Sequence, residues 1–348
     1  MIMKWLIIAG CLLYTGISRA QDVLWSPDSL SASSPNYAMN RYNQLLGYHD
    51  QLMYLTWPYI SPAVTRTIPL RDGEGKNGYW LEGNISNRFV IHKGKYYNPE
   101  ILQRLRFTFD VGLTPRLTRD SSSPLLPTNN KFGLGLDLLL SPVSALLKEQ
   151  TTPVWLTVQL HHYSNGQADS FFTKDENGNQ RNNYRSGDFS TDYVRLLFNV
   201  ANISAKDHVI SAAIGWQQEV DPKGPLGRST ELINSYGNQR ILFSFQWLKA
   251  SRLVTINNLL SSSIKKVTKK RQFSFRTDLE YIAGNLSQFP LQNKYRLGAH
   301  AYLTYMPSIT NEVGFMLHTY YGRDYLNIRY DDIVFIGEAG LYMRINKR

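Results

Sequence analysis

Pro153-Val154-Trp155-Leu156-Thr157-Val158-Gln159-Leu160-His161-His162-Tyr163-Ser164-Asn165-Gly166 is the stretch on which the fold turns. Val154, Leu156, Val158 and Leu160 alternate with Trp155, Thr157, Gln159 and His161, and successive side chains of a strand point to opposite faces. One face is wholly apolar and the other largely polar, the pattern of a strand with lipid on one side and a lumen on the other. Continuing the apolar face by twos gives His162 and Ser164.

The same period of two recurs along the chain. Phe107, Phe109, Val111 and Leu113 alternate with Arg106, Thr108 and Asp110; Ile241, Phe243, Phe245 and Trp247 alternate with Leu242, Ser244 and Gln246. Phe273, Phe275 and Leu279 alternate with Ser274, Arg276, Asp278 and Glu280. The pattern predicts twelve strands, at 45–58, 77–92, 101–115, 130–140, 153–164, 189–201, 207–220, 238–249, 271–284, 293–307, 311–323 and 331–345. The fold class is thus all-β, a single antiparallel transmembrane barrel of the outer-membrane type spanning 45–348. Its even strand number puts 116–129, 165–188, 221–237 and 324–330 outside and 202–206 in the periplasm. Ala250–Lys270 is long for a periplasmic turn. It reads either as an amphipathic segment or as an extended strand pair.

Composition agrees with a barrel. There are 22 Tyr, 15 Phe and 7 Trp, only 19% of residues are charged, and no apolar run after the first twenty residues reaches the ~18 of a membrane helix. If the chain spans a membrane, it does so with strands. Residues 1–20 read as a cleaved secretory signal, with Lys4, an apolar run from Trp5 to Leu13 and Ser18-Arg19-Ala20 before Gln21. Ile8-Ala9-Gly10-Cys11 also resembles a lipoprotein box, but too little apolar chain precedes it. Residues 21–44 then form an N-terminal periplasmic segment. Cys11 is the only cysteine, so cleavage leaves no thiol, disulfide or cysteine metal site. The net charge of +11 is not clustered with the aromatic and glycine motifs of nucleic-acid modules; it suits anionic lipid head groups, as it suits ordinary solubility.

His162 and Ser164 lie two apart on one strand face, within about 7 Å, so the imidazole can act as general base toward the hydroxyl as nucleophile. Polar groups against lipid are costly and usually functional, although at the head-group rim they are cheap. The following strand has Val194, Leu196, Phe198 and Val200 on its lipid face, which extends upward to Asp192 and Ser190. Either can orient the imidazole; the carboxylate would also stabilise the imidazolium. His161 has the opposite parity and points into the lumen.

These residues resemble the outer-membrane phospholipases A. His162, Ser164, Asn165 and Gly166 match that family's His-x-Ser-Asn-Gly run, with Asp169 at the family's spacing. Ser122-Ser123-Pro124 with Thr128-Asn129 resembles a family segment before strand four; Tyr320, Gly322, Leu326, Ile328 and Tyr330 resemble its penultimate hairpin, before a last strand with Gly337 and Gly340. The resemblance implies a carboxylic ester hydrolase, a phospholipase A1 or A2 acting on membrane glycerophospholipids, homodimeric when active. It implies calcium held by Ser123, the Gln167 carbonyl and Ser186. The family carries Asn where this chain has Ser190, so Asp192 and Ser190 both stand as the third member. Asp175, Asn177 and Asn179 have a calcium-loop-like spacing that turn chemistry also explains. A second resemblance, to lipid A 3-O-deacylases, rests on His-Tyr-Ser-Asn alone and implies a smaller, eight-stranded barrel. The non-enzymatic alternative is a pore or transport barrel with a decayed site, its lumen lined or filled by Arg106, Asp110, Arg276 and Glu280.

Overall fold

The computed structural model describes residues 52–66, 79–93, 100–118, 125–142, 152–174, 178, 180–183, 186–203, 208–220, 232, 235–256, 267–284, 286, 295–307, 313–326, 330 and 332–343. The expected signal, the 21–44 segment, Ser123 and Asp175, Asn177 and Asn179 lie outside these residues.

Twelve antiparallel strands form one closed barrel. They are β1 (Leu52–Arg66), β2 (Tyr79–Lys93), β3 (Leu105–Thr114), β4 (Asn129–Leu139), β5 (Val154–Ser164) and β6 (Ser190–Ile203), followed by β7 (His208–Glu219), β8 (Gln239–Ile256), β9 (Val267–Ile282), β10 (Leu297–Met306), β11 (Val313–Arg323) and β12 (Asp332–Met343). Each pairs with its neighbours in sequence, and β1 pairs with β12 to close the ring. Closure leaves no unpaired edge, which a strand bundle in lipid requires. Barrels of this kind are outer-membrane proteins.

The alternation read from sequence is the alternation observed. Leu134, Val158, Leu160, Phe198 and Ile214 stand on the outer surface, whereas Thr157, Gln159, His161, Ser211 and Gln217 are buried within. Four boundaries differ from expectation. β1 continues past Pro58 to Arg66 because register shifts after Pro58 and Ile60 absorb prolines that otherwise signal a strand end. The start of the third expected strand is a helical turn, Glu100–Gln103. In the Ala250–Lys270 connection, β8 and β9 stay paired to Ile256 and Val267, so an extended strand pair is what forms there. The end of β3 bends at Pro115 into a short strand, Arg116–Thr118, that pairs with β2.

Many of the inward polar residues pair with one another across the lumen wall. Arg106 Nε donates to Asp137 at 2.7 Å, Arg88 Nε to Asp110 at 2.8 Å, Arg240 Nε to Glu280 at 2.9 Å and Arg276 Nε to Asp278 at 2.8 Å. Around β2, β11 and β12, Arg116 joins Glu82 and Asp324, each at 2.8 Å, while His318 and Tyr79 share Glu338. At the end where the longer connections gather, Phe171, Phe189, Leu232, Tyr236, Leu326 and Tyr330 form an apolar cluster drawn from several connections. Longer connections mark the extracellular end of such barrels. The cluster places a dry layer there, next to the upper ends of β5 and β6.

Candidate active site

β5 forms because Val154, Thr157 and Val158 favour extended backbone and the alternating apolar face is stable only against lipid. It stops at Asn165-Gly166. Gly166 has φ +67°, a left-handed conformation open to glycine, and the chain turns there. The Asn165 side chain is buried and ties the end of β5 to the start of β6. Its Nδ2 donates to Gly187 O at 2.7 Å, and its Oδ1 accepts from Phe189 N at 3.0 Å and Gln167 N at 3.3 Å. The motif's asparagine and glycine are therefore explained by the turn they build.

That turn sets the register between β5 and β6. His162 stands opposite Asp192, and Ser164 opposite Ser190. His162 Nδ1 lies 3.0 Å from Asp192 Oδ1. The side chain of His162 is 28% exposed on the outer surface and that of Asp192 only 5%, although its strand-mates Val194, Leu196 and Phe198 face outward freely. A carboxylate so enclosed needs a hydrogen-bonding partner, and His162 is that partner. Asp192 is fixed from behind as well, since its main-chain carbonyl accepts from Val220 N at 2.7 Å.

Ser164 shares the outer face with His162 but no hydrogen bond joins the two among the described residues. On the other side, β4 places Asn130 opposite Ser164 and Phe132 opposite His162. The Phe132 ring packs 4.8 Å from the imidazole, tilted by 42°. Thr128 Oγ1 donates to Asn130 Oδ1 at 3.2 Å, leaving the Asn130 Nδ2 group with no acceptor among the described residues. A side chain at Gly166 would lie 3.5 Å from that nitrogen, so the amide sits beside the β5 turn. Sequence reasoning missed Asn130 and Phe132. Both lie at period-two positions on the outer face of β4, but only the strand register reveals what they touch.

Of the expected calcium residues, Gln167 is exposed and Ser186 lies on the adjoining segment, where Asp169 N donates to Ser186 O at 3.1 Å. Asn183 Nδ2 donates to Ser186 Oγ at 3.1 Å, which leaves that oxygen a lone pair. Carbonyl and hydroxyl oxygens on neighbouring segments fit the donor chemistry of a hard cation. His161 behaves as expected of a lumen residue, with Nε2 2.7 Å from Asp110 Oδ2 and Nδ1 3.0 Å from Tyr193 Oη.

No protein-family model matches the sequence, and no curated protein matches it. Among solved structures, the chain is similar to outer membrane phospholipase A from Escherichia coli, with a TM-score of 0.51, 13% identity and coverage of 88% of this chain and 98% of that one. It is similar also to the Salmonella typhi outer membrane phospholipase dimer with bound calcium, at TM-score 0.50, 13% identity and coverage of 90% and 99%. A NanC porin is matched at TM-score 0.37 and 10% identity, over 84% of this chain and all of that one. At these identities the phospholipase likenesses establish the fold, a twelve-stranded barrel of the outer-membrane type.

Proposed function

We propose that the chain is an outer-membrane phospholipase A that hydrolyses acyl esters of glycerophospholipids at its lipid-facing surface. The observation that carries this reading is the 3.0 Å contact between His162 Nδ1 and Asp192 Oδ1, facing lipid in line with Ser164. In this reading Asp192 accepts the Nδ1–H bond and holds the tautomer in which Nε2 is free to take a proton. Ser164 Oγ attacks the ester carbonyl as Nε2 removes its proton, giving a tetrahedral oxyanion. The proton then passes from Nε2 to the leaving glycerol oxygen, and a water repeats the sequence to release the fatty acid and restore Ser164. The unengaged Nδ2 group of Asn130 is the chain's own donor for the oxyanion. Ser190, opposite Ser164 rather than His162, is the poorer third member.

Calcium, held by Gln167, Ser186 and Ser123, would supply further positive charge to the developing oxyanion. The active form is a homodimer in this account, as the calcium-bound Salmonella typhi protein is a dimer. Twelve strands argue against the deacylase reading, which needs eight. The paired lumen and the apolar cluster at its outer end argue against an open pore.

A fluorophosphonate esterase probe applied to the folded protein in mixed micelles tests the reading. Covalent modification mapped to Ser164, slowed by a calcium chelator, is expected. Modification elsewhere or none would sink the serine mechanism, and labelling indifferent to chelation would remove calcium from it.

A further inference from the structure

Below the apolar cluster the lumen holds a cavity of about 480 Å³ that the proposed ester chemistry does not use. Its wall carries the carboxylates Asp110, Asp278, Glu280 and Asp324, and each already has an arginine: Arg88, Arg276, Arg240 and Arg116, at 2.8, 2.8, 2.9 and 2.8 Å. Two more cations on the same wall, Lys131 and Arg195, form no ion pair with a carboxylate among the described residues. Lys131 projects inward from β4 and makes no hydrogen bond or ion pair there. Its stem crosses β3 where Gly112 lacks a side chain, since a Cβ at Gly112 would stand 3.4 Å from Lys131 Cβ and 3.6 Å from its Cε. Arg195 spends Nε and Nη2 on one neutral atom, Gln217 Oε1, at 3.0 and 2.6 Å, and stacks over Tyr193. The charges of Arg195, Arg88 and Arg276 bear on Lys131 and are offset only in part by that of Asp110, which Arg88 already pairs.

Uncompensated like charges inside a barrel are costly, and an anion between them removes that cost. The wall also tells which anion. Gln159 lines the same cavity and is buried; its Nε2 bonds Asp110 at 3.0 Å, and its enclosed Oε1 has no donor. Asn87 Oδ1 on the same wall is likewise without one. A ligand that is both anionic and an O–H donor satisfies the cations and these acceptors together; a protonated phosphate is such a group, whereas sulfate and chloride offer no O–H at neutral pH. We infer that the lumen is a binding chamber for a protonated phosphate-class anion, held between Lys131 and Arg195 with Gln159 accepting its hydroxyl.

The test is calorimetric titration of orthophosphate into the folded full chain in micelles, at neutral pH and fixed ionic strength. Saturable one-to-one binding is expected, with sulfate and chloride each at least about tenfold weaker, the scale of one charge-assisted hydrogen bond. Lys131→Met and Arg195→Gln should each weaken phosphate by a similar factor with the circular dichroism unchanged. A triple variant K269Q/K270Q/R271Q, which strips basic residues from the opposite end of β9, should bind as the parent does. Absence of saturation, equal affinity for sulfate, or loss of binding in the triple variant but not in the two lumen variants would overturn the assignment.

Discussion

Asp192 and His162 face each other across the β5–β6 ladder, with Oδ1 and Nδ1 3.0 Å apart, whereas Ser190 stands opposite Ser164. Asp192→Ala should lower phospholipid turnover by roughly two to four orders of magnitude, the span seen when a triad's orienting group is removed or mis-tautomerised. Ser190→Ala should stay within a few-fold of the parent. Initial rates of fatty-acid release from mixed micelles, measured for both variants side by side, check the pair.

Asn130 supplies a second prediction. If its Nδ2 meets the oxyanion only as the tetrahedral species forms, Asn130→Ala should reduce kcat by about 10²-fold or more with KM little changed. Phe132→Ala removes only a tilted ring contact with the imidazole, and about two- to tenfold in kcat is expected from the worth of such pairs. Equal effects of the two would contradict the roles assigned to them.

The turn after Ser164 depends on Asn165, whose buried side chain makes three hydrogen bonds. Asn165→Ala should cost about 2–4 kcal/mol of local stability at roughly 1 kcal/mol for each bond lost. Limited proteolysis should then cut between Gly166 and Phe189 faster than in the parent. Gly166→Ala should act in the same direction and less strongly, about 1–2 kcal/mol, because the position has φ +67° but room for a methyl group.

The barrel's two faces predict opposite tolerances. Leu134 is 57% exposed on the outer surface, and Leu134→Arg should destabilise the folded barrel by about 2–4 kcal/mol if that surface meets lipid at mid-depth. Asp137 faces the lumen, pairs with Arg106 and accepts from Thr157 Oγ1 at 2.6 Å. Asp137→Ala should take the carboxylate from a buried guanidinium and cost about 3–5 kcal/mol. Urea unfolding in lipid vesicles measures both.

Much of this was legible in the sequence, for a physical reason. A strand between lipid and lumen must alternate, so the period of two located nearly every strand and put His162 and Ser164 outside. What alternation cannot supply is register. Asp192 and Ser190 have the same parity, and which of them stands opposite His162 depends on strand register, which the Asn165 side chain ties across the 165–189 connection, a three-dimensional contact that spacing does not encode. The same limit hid Asn130 and Phe132. It also left open whether Arg106 and Asp110 line a channel, because ion pairs such as Arg106–Asp137 join residues far apart in sequence. Pro58 misled the reading of β1 because register shifts let a strand carry a proline that usually ends one.

The central claim, that Ser164 is the nucleophile of a lipid-facing hydrolase, meets its most direct test in one comparison. The parent and Ser164→Ala proteins, folded alike by circular dichroism, are assayed with calcium for fatty-acid release from phospholipid micelles. The account predicts turnover in the parent and a loss of at least about 10³-fold in the variant, in keeping with removal of a triad nucleophile. Fatty-acid release by Ser164→Ala at the parental rate, or none from the parent, would contradict it.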